Sequence, residues 1–414
     1  MKKGLLLSVV ASTMIFAGGD IAPVEPAAAA PAADCSDFYG QVGAYYQSET
    51  GYYMKDGKSV ESDLFSDEAT NDFSVTATIG VEKEIFNGIG FGAEVAGYTT
   101  LGLDTNDNND AHIDGPRTGT REGGELSQLY LTASFGNTAI KVGRYALPQS
   151  LSPFAWTDTT AGVKDTVFEG LVVANTDVTD TTIYGVYARN AVDGSTRTAI
   201  GKDDLGLFAL GFVNKSVADT TISAVGYYLP DAAIDAAGDT YAEYAGFATV
   251  DTKFDAYKVS FQAAYVGGDE EVGTDATFAV GAKVSGNFGM FDASLAASYI
   301  NDGDFALAYA GGYWLYTANE IDAQIGGYAT TAILAKVGAK VGIGKLYGSL
   351  GYWLVDSNDV AGEEDNVLGA RVGYKFKVAG VATKIEYRYR NTVLNGDSED
   401  VTRNRVRIEA TYKF

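Results

Sequence analysis

From Phe38 to Phe414 apolar and polar residues alternate in runs of about 10–13 residues, the length a tilted strand uses to cross a bilayer. In Ala256–Val266 one face carries Tyr257, Val259, Phe261, Ala263 and Tyr265, and the other carries Lys258, Ser260, Gln262 and Ala264. In Phe291–Ile300 one face is Phe291, Ala293, Leu295, Ala297 and Tyr299, and the other is Asp292, Ser294, Ala296 and Ser298. Each apolar face has small or aliphatic residues in its middle and an aromatic at both ends. A strand that crosses hydrocarbon and pins its ends at two interfaces needs that arrangement. A soluble sandwich alternates too, but has no reason to repeat it. No segment carries a convincing helical period.

Eighteen such runs are predicted, near 38–47, 72–85, 89–101, 125–136, 138–145, 165–176, 179–190, 203–215, 219–229, 240–251, 255–267, 273–286, 289–300, 329–342, 345–356, 366–378, 380–391 and 402–414. Two misread turns would reduce the number to sixteen, and bacterial single-chain barrels have an even number. The predicted fold is therefore all-β, a transmembrane antiparallel up-and-down β-barrel. Every second connection is tight, as at Asn87-Gly88, Gly136-Asn137, Asn287-Phe288-Gly289 and Gly342 to Gly344, where turn formers sit. These are assigned to the periplasmic side. The others, near 48–71, 102–124, 146–164, 191–202, 301–328 and 391–401, are long and acidic and fit extracellular loops. On the last run Val406, Ile408, Ala410, Tyr412 and Phe414 share one parity. That closing strand is similar to the aromatic C-terminal signature of outer-membrane barrels, which implies the barrel-assembly machinery as a partner.

Composition sharpens this picture. A chain of 414 residues suggests two or three soluble domains, but 50 Gly, 27 Tyr and 20 Phe against 7 Pro suit one large sheet. The mean hydropathy of −0.03 is what lipid-facing and inner residues average to when they alternate. At the N-terminus Lys2 and Lys3 precede an apolar run from Leu5 to Phe16, too short to span a bilayer. With small residues at Ala17, Gly18 and Gly19, residues 1–17 read as a signal peptide. Residues 18–36 form an Ala/Pro-rich linker, and 37–414 the barrel. Cys35 is the one cysteine, so no disulfide within the chain is possible, and it lies too far downstream for a lipid anchor. The formal charge of −24 argues against nucleic acid as a partner. Outer-membrane lipid and lipopolysaccharide, and small hydrophilic solutes, are the expected partners of a bacterial outer-membrane barrel. The residues leave open whether it works alone or as a homotrimer.

With the lipid face assigned, the opposite parity points inward. On the last strands that face is basic: Lys336 and Lys340, then Arg371, Lys375 and Lys377, then Lys384, Arg388 and Arg390, then Arg403, Arg405 and Arg407, with Glu386 and Glu409 interspersed. Neighbouring strands lie about 4.8 Å apart, so these cations form a contiguous ladder. So many like charges are too costly for a dry core, which predicts a water-filled passage. The alternative is that they pair with acidic loops. Glu82 and Glu84 are the expected acidic counterpart on the opposite wall. Two loops are candidates to narrow the passage: the segment with Tyr145, Trp156, Asp158 and Lys164, and the segment with Asp304, Tyr313 and Trp314. The alternative is that they fold outward as a cover.

Asp104, Asn106, Asp107, Asn108, Asn109 and Asp110 invite a calcium reading, but positions six and twelve are Asn109 and Gly115 where that loop wants Gly and Glu. No cofactor is expected beyond loose association of divalent cations with the acidic loops. Histidine-dependent catalysis has only His112 to draw on, with no serine in a matching pattern, so no enzyme is expected. A structural or adhesive barrel is the other class; its lumen would be filled with side chains rather than lined by like charges.

Lys141-Val-Gly-Arg144, Pro148, Pro153, Asp165-Thr-Val-Phe-Glu169, Asn175-Thr-Asp177 and Asp180-Thr-Thr-Ile-Tyr184 resemble the Opr (OprD-like) porins. Gly19-Asp-Ile-Ala-Pro-Val-Glu25 is similar to a major outer-membrane porin of that group. The resemblance implies an eighteen-strand barrel whose third and seventh loops, here 146–164 and 301–328, fold inward beside a basic ladder. It also implies passive passage of carboxylates, amino acids and other small solutes.

Overall fold

The alternating runs become strands that close into one ring. The computed structural model describes residues 37–414 except 51, 56–57, 66–69, 102–121, 156, 158, 161, 165, 195, 202, 235–239, 269–275, 302–314, 319–329, 357–363 and 394–400. The expected signal peptide, linker and calcium-like loop, with Cys35 and His112, lie outside the described residues. The ring comprises β1 (Phe38–Glu49), β2 (Thr70–Phe86), β3 (Ile89–Thr99), β4 (Glu122–Phe135), β5 (Thr138–Tyr145) and β6 (Val167–Asn175). It continues with β7 (Thr181–Asp193), β8 (Leu207–Asn214), β9 (Thr220–Ile234), β10 (Thr240–Phe254), β11 (Tyr257–Gly268) and β12 (Thr277–Phe288). β13 (Phe291–Ile300), β14 (Thr330–Val341), β15 (Gly344–Asp356), β16 (Glu364–Val378), β17 (Val381–Val393) and β18 (Val401–Lys413) complete it.

Each strand pairs antiparallel with its sequence neighbours, and β1 pairs with β18 from Gln41↔Lys413 to Glu49↔Arg405. Gly40 and Phe414 exchange backbone hydrogen bonds of 3.0 Å across that seam. Closure matters because unpaired N–H and C=O groups have no partner in hydrocarbon. Short strand pairs outside the ring occur within 52–61 and 159–164, and Thr196–Ala199 folds back on the end of β7.

Both ends of the ring lie with the tight turns. The turn expected at Asn287-Phe288-Gly289 falls instead at Gly289–Met290, because Phe288 pairs with Phe291. β9 runs five residues beyond the expected 229, through Pro230. The register shift between Leu229 and Ala233 accommodates a residue that cannot donate to the ladder. At 176–180 the side-chain amides of Asn137 and Asn175 donate to Asp177 at 2.8 and 2.7 Å, tying two turns together. These hydrogen bonds hold the Asp177 carboxyl below the usual aspartate range.

The parity expected from the alternation is the parity observed. Phe261, Leu295, Ile333, Val372, Ile385 and Ile408 are exposed on the outside, while Gln262, Ala296, Leu334, Arg371, Glu386 and Arg407 are buried within.

Gly143, between the inward Lys141 and Tyr145, has φ +129°. A Cβ there would lie 2.3 Å from the Leu129 carbonyl oxygen. Gly143→Ala is expected to cost about 2 kcal/mol or more through strain and backbone clash. The measurement is the temperature at which the folded, fast-migrating barrel converts to the unfolded band on a gel.

Candidate functional site

Direct cross-strand pairing stacks the inner cations into rows. One row runs Lys336, Ser349, Arg371, Arg388, Arg405 and Glu49. A second runs Lys340, Lys345, Lys375, Lys384, Glu409 and Tyr45. Arg390 and Arg403 are direct partners nearer the long-loop end, and Lys377 lies at the tight-turn end of β16.

Carboxylates of the wall itself hold the most buried of these cations. Glu386 accepts from Arg388 Nε and from the Tyr347 hydroxyl at 2.7 Å, and lies 3.5 Å from Arg371. Glu49 meets Arg405 at 2.6 Å and Arg403 at 3.9 Å. Arg407 donates twice to Gln47 Oε1, at 3.1 and 2.9 Å, over the Tyr45 ring. Lys384 pairs with Glu409 at 2.9 Å, and Lys345 with Asp292 at 2.9 Å. These described partners all stand on neighbouring strands. Among the described residues the carboxylates that meet this set of cations are Glu49, Asp292, Glu386 and Glu409.

The wall from β7 to β13 is different in kind. Its inner face carries an apolar cluster, among polar residues such as Asp251, Ser260 and Gln262, and Leu147, Leu151, Phe154 and Ala155 of the third long loop pack into that cluster. Phe154 stacks edge-on against Tyr227 with ring centroids 5.3 Å apart, and Ser152 Oγ donates to the Tyr227 hydroxyl at 3.3 Å. Farther along, Lys164 donates to Glu94 of β3, and Gln41 of β1 donates to the Gly162 carbonyl. The loop therefore lies inside the ring, anchored at one stretch by apolar contact and at another by charge. Tyr145 is buried beneath it. The described part of the seventh long loop, 315–318, docks on the same wall. There Tyr316 N donates to Gln262 Oε1 at 3.2 Å, and Lys283 Nζ lies 4.2 Å from the Tyr316 ring centre. Burial raises the Tyr316 phenol, keeping it neutral. Trp156, Asp158, Asp304, Tyr313 and Trp314 lie outside the described residues.

Glu82 accepts from the Tyr130 hydroxyl on the inner face of β2, and Lys141 lies 4.1 Å from the Tyr130 ring centre. Glu84 sits at the tight-turn rim and accepts from Gly88 N at 2.8 Å. The buried acid beside Glu82 is Glu94, which the sequence reading passes over. It also passes over Lys345 and Glu49, which fall at its strand ends, and the apolar anchors Leu147, Leu151 and Phe154. Leucine and phenylalanine placed in a polar loop are the signal that could have found those anchors. Among the described residues no group of three or more His, Cys, Asp or Glu could hold a metal ion.

No family model matches the chain, and no curated protein matches it. Solved structures do match. Acinetobacter baumannii OccAB3 superposes with TM-score 0.69 at 12% identity, covering 91% of this chain and 100% of that one. Acinetobacter baumannii OccAB4 gives 0.68 at 12% identity, with 92% and 99% covered. Pseudomonas aeruginosa OccK9 (OpdG) gives 0.67 at 11% identity, with 91% and 99% covered. These neighbours are OprD-family barrels, the group the segment 141–190 resembles. At this identity the likeness concerns the fold.

Glu386 is the shared counter-charge of Arg371 and Arg388. Glu386→Gln is expected to destabilise the folded barrel by about 3 kcal/mol, because it removes the carboxylate that two buried guanidiniums share. A urea titration of the reconstituted barrel, followed by tryptophan fluorescence, measures it.

Proposed function

We propose that the chain is an outer-membrane porin, a passive diffusion channel for small hydrophilic solutes, with carboxylate-bearing solutes favoured. The observation that carries this reading is the inner wall of β14–β18, where Lys336, Arg371, Arg388 and Arg405 stack in one cross-strand row and Lys340, Lys345, Lys375 and Lys384 in another, within the ring that holds the third loop. Such a wall raises the local concentration of anions and lowers the barrier to their passage. The third loop, with residues 315–318 of the seventh, narrows the passage from the β7–β13 side, so a solute is pressed toward the ladder. Amino acids fit the same passage, their carboxylate on the arginines. On the opposite wall Glu82 lies beside Tyr130 and Lys141, and Glu94 pairs with Lys164. The exposed apolar belt, the closed ring and the OprD-like fold support residence in the outer membrane. Insertion there would follow the barrel-assembly route, with lipopolysaccharide as a neighbour.

Solute flux into liposomes tests the reading. Succinate is expected to enter faster than a neutral diol or diamine of similar size. The triple change Lys375→Gln, Lys384→Gln and Arg403→Gln, at positions less buried than Arg388, is expected to cut succinate entry about tenfold, as loss of electrostatic steering does. Unchanged succinate flux would remove the ladder from selectivity. Folded barrels that pass no solute at all would favour an adhesive or structural role instead.

A further inference from the structure

The outer face carries a feature that permeation does not use. At the long-loop ends of β4 to β7, Leu129, Arg144, Glu169 and Asn190 form one cross-strand row. Leu129 is 51% exposed on the lipid-facing parity, so the row points outward. Glu169 accepts from Arg144 at 2.8 Å, from Asn190 at 3.0 Å and from Arg197, which the short strand Thr196–Ala199 delivers from the fourth long loop. Arg189 is the extra residue at the register shift opposite Glu169 and Gly170, is exposed, and shares the parity of Tyr187. Two guanidiniums therefore hold one carboxylate, with the exposed Arg189 at the neighbouring register shift, in a chain whose formal charge is −24. A cation on the outside of a barrel is costly at the bilayer midplane and nearly free at the interface, which puts this cluster at headgroup height.

The surface next to it is shaped. Two residues along β7 from Arg189, Tyr187, Phe208, Tyr228 and Tyr244 are successive cross-strand partners, an aromatic row of the kind that marks the interface. The next row is Gly185, Leu210, Gly226 and Gly246, and beyond it come Ala224, Ala248 and Ala263. With side chains shrunk to hydrogen or methyl between Phe212 on one side and Tyr265 on the other, the outer wall is hollowed into an apolar trough of about 880 Å³. Arg189 and Gly185 are four residues apart on one strand, about 13 Å. That is the separation of a headgroup phosphate from the first part of an acyl chain.

We infer that this face docks an anionic outer-leaflet lipid, a phosphate-bearing acylated glycolipid. Its phosphate sits on Arg189 and Arg197 with Arg144 behind, and an acyl chain lies in the trough. Charge complementarity selects the occupant: a phosphate group supplies the counter-charge that Glu169 alone does not. The trough gives an acyl chain contacts that a convex belt of leucine and phenylalanine cannot.

The test is native mass spectrometry of the whole barrel in detergent, with bisphosphorylated lipid A or phosphatidylcholine added. Lipid A is expected to be retained at least tenfold more than phosphatidylcholine. The double change Arg189→Glu and Arg197→Glu is expected to remove that preference. Gly246→Leu is expected to weaken retention of lipid A severalfold while leaving binding of the deacylated, bisphosphorylated sugar unchanged. A Cβ at Gly246 meets nothing within 4 Å, so this variant fills the trough without disturbing the wall. Equal retention of both lipids, or lipid A binding unchanged in both variants, overturns the inference. So does loss of an oligomer in Gly246→Leu with lipid binding intact, which would assign the trough to a second copy of the chain. Conductance of the same preparations separates this result from the channel reading.

Discussion

The structure depends on one constraint: in hydrocarbon every backbone polar group must find its partner inside the protein. Eighteen strands meet it by closing on themselves, and the seam between β1 and β18 is where closure succeeds or fails. Nine cross-strand positions and the paired backbone hydrogen bonds of Gly40 and Phe414 seal it. Closure then imposes strict alternation, because a one-residue slip would turn Arg388 toward lipid and Tyr387 inward. The basic wall, the apolar belt and the trough on the outer face are all consequences of that parity.

Inside the ring, the physics divides between two walls. From β7 to β13 small and aromatic side chains give the third loop an apolar surface, and Leu147 and Phe154 are buried there as fully as in a soluble core. From β14 to β18 the same inner parity is cationic, and no described loop residue covers it. Buried guanidiniums are tolerable only with hydrogen-bonding partners, which is why Glu386, Glu49 and Gln47 stand between them. The pairing among neighbouring strands holds these guanidiniums in fixed positions along the wall.

Much of this was legible in the sequence, for identifiable reasons. Period-two alternation with aromatic ends reports a strand and its lipid face together, so Tyr257 to Tyr265 and Phe291 to Tyr299 disclosed both. The ladder residues followed from parity alone. Strand ends were less legible: Glu49 and Lys345 lay at the margins of their runs, and Pro230 read as a stop because its bulge is set by tertiary pairing. Glu94 was hidden because its partner Lys164 is 70 residues away. The docking of the third loop was expected from its mix of aromatics and charges, but the apolar anchors that hold it were not. Apolar residues in a polar loop are a local signal that something buries them, but the wall that does so is formed by distant strands and is not visible locally. The arginine cluster on the outer face was equally invisible, because a register shift and a folded-back strand bring Arg189 and Arg197 to Glu169.

The central claim is that the basic wall of β14–β18 faces water and sets which ions pass. Its most direct test is the reversal potential of single channels of the full chain in a planar bilayer under a KCl gradient. The account predicts stable conductance steps with a reversal potential of the anion-preferring sign. A cation-preferring reversal potential would contradict it, by showing that the acidic loops at the mouth, and not the arginine wall, control permeation.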